Sequence, residues 1–190
     1  MKKKVSKVSK STKSKSDSRL NGNSESGDIV TLILRDHKPI KELLLVLKDS
    51  DVEIAEKRPA FDEFQRILRG HTKAEEESLY VQLKQDDETK VEALEGDTEH
   101  ALAEQLMNEV DASTGDENLW MAKVKVLAEL VEHHLKEEEK EVLKQVRQDL
   151  SSEQRAKVGA VYSRLLLKYQ DENGESKKFI RKEEMRADHV

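Results

Sequence analysis

Two short segments of this 190-residue chain carry residue types able to hold a cation. The first, HTKAEEESLY at 71–80, places Glu75 four residues after His71. The second, HHLKEEEKEVL at 133–143, places Glu138 four residues after His134. On a helix these positions stack on one face, so each imidazole and its carboxylate aim at one point. Two further histidines, His37 and His100, each follow an acid, Asp36 and Glu99. All six residues fall on apolar helical stripes. Imidazoles and carboxylates facing a core cannot be left unpaired, because burying an unpartnered charge is costly. One metal ion or two would neutralise the carboxylates and use the imidazole lone pairs. A lone histidine on an apolar face is more often a hydrogen-bonded core residue, but four in matched positions are poorly explained that way.

The match is an internal repeat with an offset of sixty-three positions and no gap. It relates His37 to His100, His71 to His134 and Glu75 to Glu138, and carries the apolar positions with them, Phe61 onto Val124 and Leu68 onto Val131. The sequence therefore predicts two helical hairpins about a pseudo-twofold axis, their histidines converging on the middle of the core.

The elements that would position them follow from hydrophobic periodicity. Helices are expected over about 29–49, 60–85 behind Pro59, 89–111 and 117–149. Ser151 and Gln154 read as a capping box opening a short fifth helix to about 170. Short connections between long helices make antiparallel neighbours. The fold class expected is all-α, an up-down-up-down four-helix bundle with a short extra C-terminal helix, over residues 28–170. Residues 1–27, Lys/Ser-rich with a net charge of +6, are expected to be a disordered basic tail, and 171–190 a charged flexible one. Trp120 and Phe61 read as core and Tyr80 as a neighbour of the site. His133, Glu76, Glu77, Glu137 and Glu139 read as solvated surface.

Composition narrows the function. There is no cysteine, which removes disulfides, thiolate metal sites and cysteine nucleophiles, and fits a cytoplasmic protein. No apolar run is long enough to span a membrane. The acidic remainder of the chain argues against a nucleic-acid surface on the core. Glu-x-x-His, as in ferritin-like di-iron bundles, and His-Glu-x-x-His, as in zinc proteases, are both absent.

The pattern that remains, DH at 36–37, HTKAEEESLY, EH at 99–100 and HHLKEEEKEVL, resembles the hemerythrin-like (HHE cation-binding) family over about residues 30–150. The resemblance implies a non-haem di-iron centre: two Fe ions bridged by oxo or hydroxo and by the carboxylates of Glu75 and Glu138. His37, His71, His100 and His134 would be its terminal ligands. The oxygen-carrying members place a second histidine four residues after the one corresponding to His100. Here that position is Glu104. As a ligand, Glu104 would favour the ferric state and leave one coordination position open. The expected function is binding or sensing of a small ligand, dioxygen, peroxide or nitric oxide, or iron handling. Alternatives are a di-iron enzyme that decomposes peroxide or oxidises a substrate, and a structural bundle without metal.

Overall fold

The structure is a computed structural model describing residues 27–113 and 115–187, with side chains to residue 170. Apart from Gly27, the expected basic tail lies outside the described residues, as do His189 and the end of the expected C-terminal tail. All regular structure among the described residues is helical: α1 (Ile29–Lys48), α2 (Ile54–Glu76), α3 (Leu79–Leu83), α4 (Lys90–Asp111), α5 (Glu117–Glu137), a π-helical turn (Glu138–Val142), α6 (Leu143–Asp149) and α7 (Ser152–Ala187). No helix among them is long and apolar enough to cross a membrane.

Side-chain caps set several boundaries. Asp28 opens α1 by accepting from the Val30 amide at 3.0 Å, and Asp116 opens α5 by accepting from Leu119 at 3.0 Å. Ser151 and Gln154 form the expected reciprocal box, with the Ser151 amide donating to Gln154 Oε1 at 2.9 Å and the Gln154 amide to Ser151 Oγ at 3.3 Å.

Three elements differ from expectation. Helix α2 starts at Ile54 and carries Pro59 inside it. Ile54, partly buried, packs against the apolar core, which favours carrying the helix back beyond the proline. The single helix expected over 60–85 breaks at Glu77 and Ser78. The Ser78 hydroxyl donates back to the Ala74 carbonyl, a contact that bends helices. The fourth expected helix is continuous only with the π-helical turn at Glu138, and the fifth runs to Ala187. A π turn inserts a residue and re-aims the side chains near it.

Helix α1 packs against α2, α5 and α7; α4 packs against α5, and α2 against α7. The apolar core is split in two. One cluster holds Leu44, Phe61, Phe64, Met107, Trp120 and Leu127, with the Phe61 and Trp120 rings edge to face at 5.7 Å. The other holds Ile29, Ile33, Leu79, Tyr80, Leu143 and Tyr162. In sequence, α1 passes from the second cluster to the first at His37. Helix α2 passes from the first to the second across His71, and α4 from the second to the first across His100. Helix α5 and its π-helical continuation pass from the first to the second across Glu138. The polar residues singled out by the repeat thus sit between two dry layers.

Candidate metal centre

His37, His71, Glu75, His100, His134 and Glu138 are all buried, none more than 5% exposed. The first lies on α1, the next two on α2, then one each on α4 and α5, and Glu138 opens the π turn. Their inward atoms converge. His37 Nε2 is 3.2 Å from Glu138 Oε2, and His71 Nε2 is 3.3 Å from Glu75 Oε1. His100 Nε2 lies 3.6 Å from Glu75 Oε2 and 3.0 Å from His134 Nε2. Neither oxygen of Glu75 has a hydrogen-bond partner, nor have His37 Nε2, His71 Nε2 or Glu138 Oε2. Buried polar atoms in native folds are nearly always satisfied, so five orphans in one spot point to a partner that is not a protein group.

The outward nitrogens explain how the imidazoles are held. His37 Nδ1 meets Glu139 Oε1 at 2.7 Å, and Lys41 holds that carboxylate from the other side. His134 Nδ1 meets Glu99 Oε2 at 2.7 Å. His71 Nδ1 meets the Tyr162 hydroxyl at 2.9 Å, which donates on to Asp36 Oδ2 at 2.8 Å. His100 Nδ1 faces Glu76 Oε1 at 3.4 Å, too far for a hydrogen bond. The acids obey the repeat as well: Asp36 corresponds to Glu99, and Glu76 to Glu139. An acid on one ring nitrogen fixes the tautomer and leaves the other free to ligate. Glu76 and Glu139, expected on solvated faces, are instead half-buried beside His100 and His37. Helical spacing places them beside Glu75 and Glu138, but the second contact of each is with another helix.

Charge in this space is divided unevenly. Burial pushes the Glu75 carboxyl well up, and the neighbouring Glu138 and Asp36 push it further. Burial acts the same way on Glu138, but the adjacent His37 imidazole, with His134 and His100, outweighs it and holds Glu138 below the ordinary range. Burial, reinforced by the other three imidazoles, holds His71 well down. Burial also lowers His134, but Glu99 and Glu138 more than reverse it. The six groups suit a cation better than one another.

Two sets of donors form, the atoms within each set lying within 4.8 Å of one another: His37, His71, Glu75 and Glu138, and Glu75, His100 and His134. Glu75 belongs to both, the position a bridging carboxylate would take. Nitrogen and oxygen donors without sulfur suit iron, manganese or zinc.

Glu104 stands apart. Arg69 Nε donates to its Oε2 at 2.9 Å, Asn108 also binds it, and its side chain is 44% exposed. Arg69 lies on α2 and Glu104 on α4, so no local spacing announces the pair. Glu104 lines an open cleft of about 700 Å³ whose wall includes His100, Glu76, Lys73, Lys84 and Asp97. His133 is exposed beside Glu137, as expected. Tyr80 is at the site, its hydroxyl 3.3 Å from Glu138 Oε1 and its ring stacked on His100 at 5.4 Å. Tyr162 had no sequence signal, since it lies outside the repeat on α7.

A family model, the hemerythrin HHE cation binding domain, matches residues 28–146. Comparison with curated proteins gives no match, and comparison with solved structures gives none either.

Proposed function

The chain belongs to the hemerythrin HHE cation-binding domain family, and from that premise we propose that it holds two iron ions and binds or senses dioxygen, peroxide or nitric oxide. In this reading α1, α2, α4 and α5 run alternately up and down, α3 and α6 extend them, and α7 is a fifth stave. His37 and His71 would hold one ion, His100 and His134 the other, and Glu75 would be shared by both. Glu138 would complete the first set, its other oxygen being held by the Tyr80 hydroxyl. The observation that carries the reading is Glu75, whose buried carboxylate has two free oxygens and an imidazole from each hairpin beside it.

Bound iron would supply an open coordination position and electrons to a small ligand. The protein's own groups do the rest. The two apolar clusters exclude water from above and below. The Tyr80 hydroxyl, kept protonated by burial and by the Glu138 and Glu75 charges, donates to Glu138 within the buried site. The cleft beside His100 is large enough to admit a diatomic molecule or peroxide. Glu104, engaged by Arg69, leaves the second group one donor short of the first. A cytoplasmic setting is part of the proposal, in keeping with a cysteine-free chain.

The test is anaerobic reconstitution with ferrous iron followed by titration with dioxygen, hydrogen peroxide and nitric oxide. A stoichiometric change in the optical spectrum with one of them supports binding or sensing. Sustained oxygen release from peroxide would favour an enzyme instead. An unchanged spectrum with all three would remove the small-ligand role.

A further inference from the structure

Helix α7 lies wholly beyond the residues that the family model matches. It is nevertheless built against the candidate centre. Gly159 lets α7 run against the carbonyl of Gly27, and Gln170 sits over Gly70, where an added methyl group would lie 3.0 Å from its Cγ. Arg155 Nε binds Asp28 Oδ2 at 2.6 Å, pinning the start of α7 to the start of α1. Between these points Tyr162 is fully buried, with its hydroxyl against His71.

The two halves of the repeat solve one problem differently. In the second half Glu99 reaches His134 Nδ1 directly. In the first half the corresponding acid is Asp36, shorter by one methylene. It meets His71 only through Tyr162, which accepts from Nδ1 at 2.9 Å and donates to Asp36 at 2.8 Å. A phenol can accept one hydrogen bond while donating another. The chain of donors then has one consistent direction, with His71 Nε2 bare and facing Glu75.

We propose that Tyr162 is a positioning residue of the metal centre, holding His71 with Nε2 toward the ion and making α7 part of the site. This rests on the metal-binding reading above. It has a corollary: His71 is backed by a neutral phenol and His134 by a carboxylate, so the two ion positions are unequal in donor strength. By linkage, occupancy of the first position and docking of α7 favour each other.

The experiment compares the full-length wild type with Tyr162→Phe and Leu166→Ala. Leu166 lies one turn from Tyr162 in the same apolar cluster and makes no polar contact with the site, so L166A loosens α7 without touching the hydrogen bond. Zinc affinity is measured by competition with a chromophoric chelator, and the His71 Nδ1–H resonance by nitrogen-edited NMR of the zinc-loaded protein. Y162F is expected to weaken the first zinc position by about tenfold or more, the usual scale for losing a group that backs a metal-bound histidine. The Nδ1–H resonance should move upfield in Y162F and stay in L166A. Should Y162F not fold, Asp36→Asn serves instead, since it removes the charge and leaves the tyrosine in place; weakened zinc binding is again expected. Equal loss of affinity in Y162F and L166A, or wild-type affinity in Y162F with an unmoved resonance, overturns the proposal. A folded wild type that takes neither zinc nor iron overturns the metal reading first, and this inference with it.

Discussion

His100 and His134 face each other through Nε2 at 3.0 Å, from the neighbouring helices α4 and α5. His134 Nδ1–H donates to Glu99, so in the neutral ring Nε2 is a bare lone pair. Both nitrogens lie close to Glu75, directly for His100 and within one donor group for His134. At 3.0 Å one of the two rings must donate, His100 to the bare His134 nitrogen; a cation would displace that proton, so the two nitrogens and the partnerless carboxylate fit a cation site whose parts can be removed singly.

Glu75 should change sign with metal. Its carboxyl is pushed up mainly by burial, so the folded metal-free protein binds more protons than the unfolded chain above the ordinary carboxylate range. Its contribution to stability therefore falls as pH rises through that window. Metal-free Glu75→Gln should be more stable than metal-free wild type at pH 8, on the order of 1–3 kcal/mol, and the gap should close as pH falls toward the ordinary carboxylate range. Loaded with iron, the same variant should bind metal more than about 100-fold more weakly. Denaturant unfolding at two pH values, with and without metal, checks both. A variant less stable than wild type in the metal-free state at pH 8 counts against the orphaned-carboxylate reading.

Glu99 should tune affinity without holding the fold. Glu99→Gln keeps an oxygen for His134 Nδ1 but removes the charge. Metal affinity is expected to drop about tenfold. Chelator competition measures the affinity and circular dichroism checks the fold; an unchanged affinity would mean that Glu99 only packs.

Gly96 should be needed for Tyr80. An added methyl group there would lie 2.6 Å from the Tyr80 hydroxyl, displacing a ring that is stacked on His100 and fully buried. Gly96→Ala should cost about 1–3 kcal/mol. Gly115, with nothing within 4 Å of the same methyl group, is the control and should shift by less than about 0.5 kcal/mol. Equal thermal shifts in the two variants would contradict the close approach.

Glu104 should be dispensable to the metal. Held by Arg69 in the open cleft, Glu104→Gln is expected to leave metal content and affinity at wild-type values. Elemental analysis of the purified variant decides the matter, and loss of an ion would return Glu104 to the ligand set.

What could be read from the sequence was what repeats. His37, His71, His100, His134, Glu75 and Glu138 share one offset and helical spacing, and the structure brings all six together. The capping box at Ser151 was equally legible, since its signal is local. Contacts between helices were not. Glu76 and Glu139 look like solvated glutamates until α4 and α1 bring His100 and His37 to them. Glu104 follows His100 at i+4, and its contact with Arg69 of α2 has no local signal. Tyr162 belongs to no repeat, and its role depends on how α7 docks. The break at Ser78 and the π turn at Glu138 come from backbone hydrogen-bond choices that periodicity averages out.

The most direct measurement is metal content per chain after reconstitution with ferrous iron and removal of the excess. About two irons per folded chain are expected, one for each group of donors that shares Glu75. A folded, stable chain that retains none would contradict a metal centre, and one ion per chain would contradict the bridge.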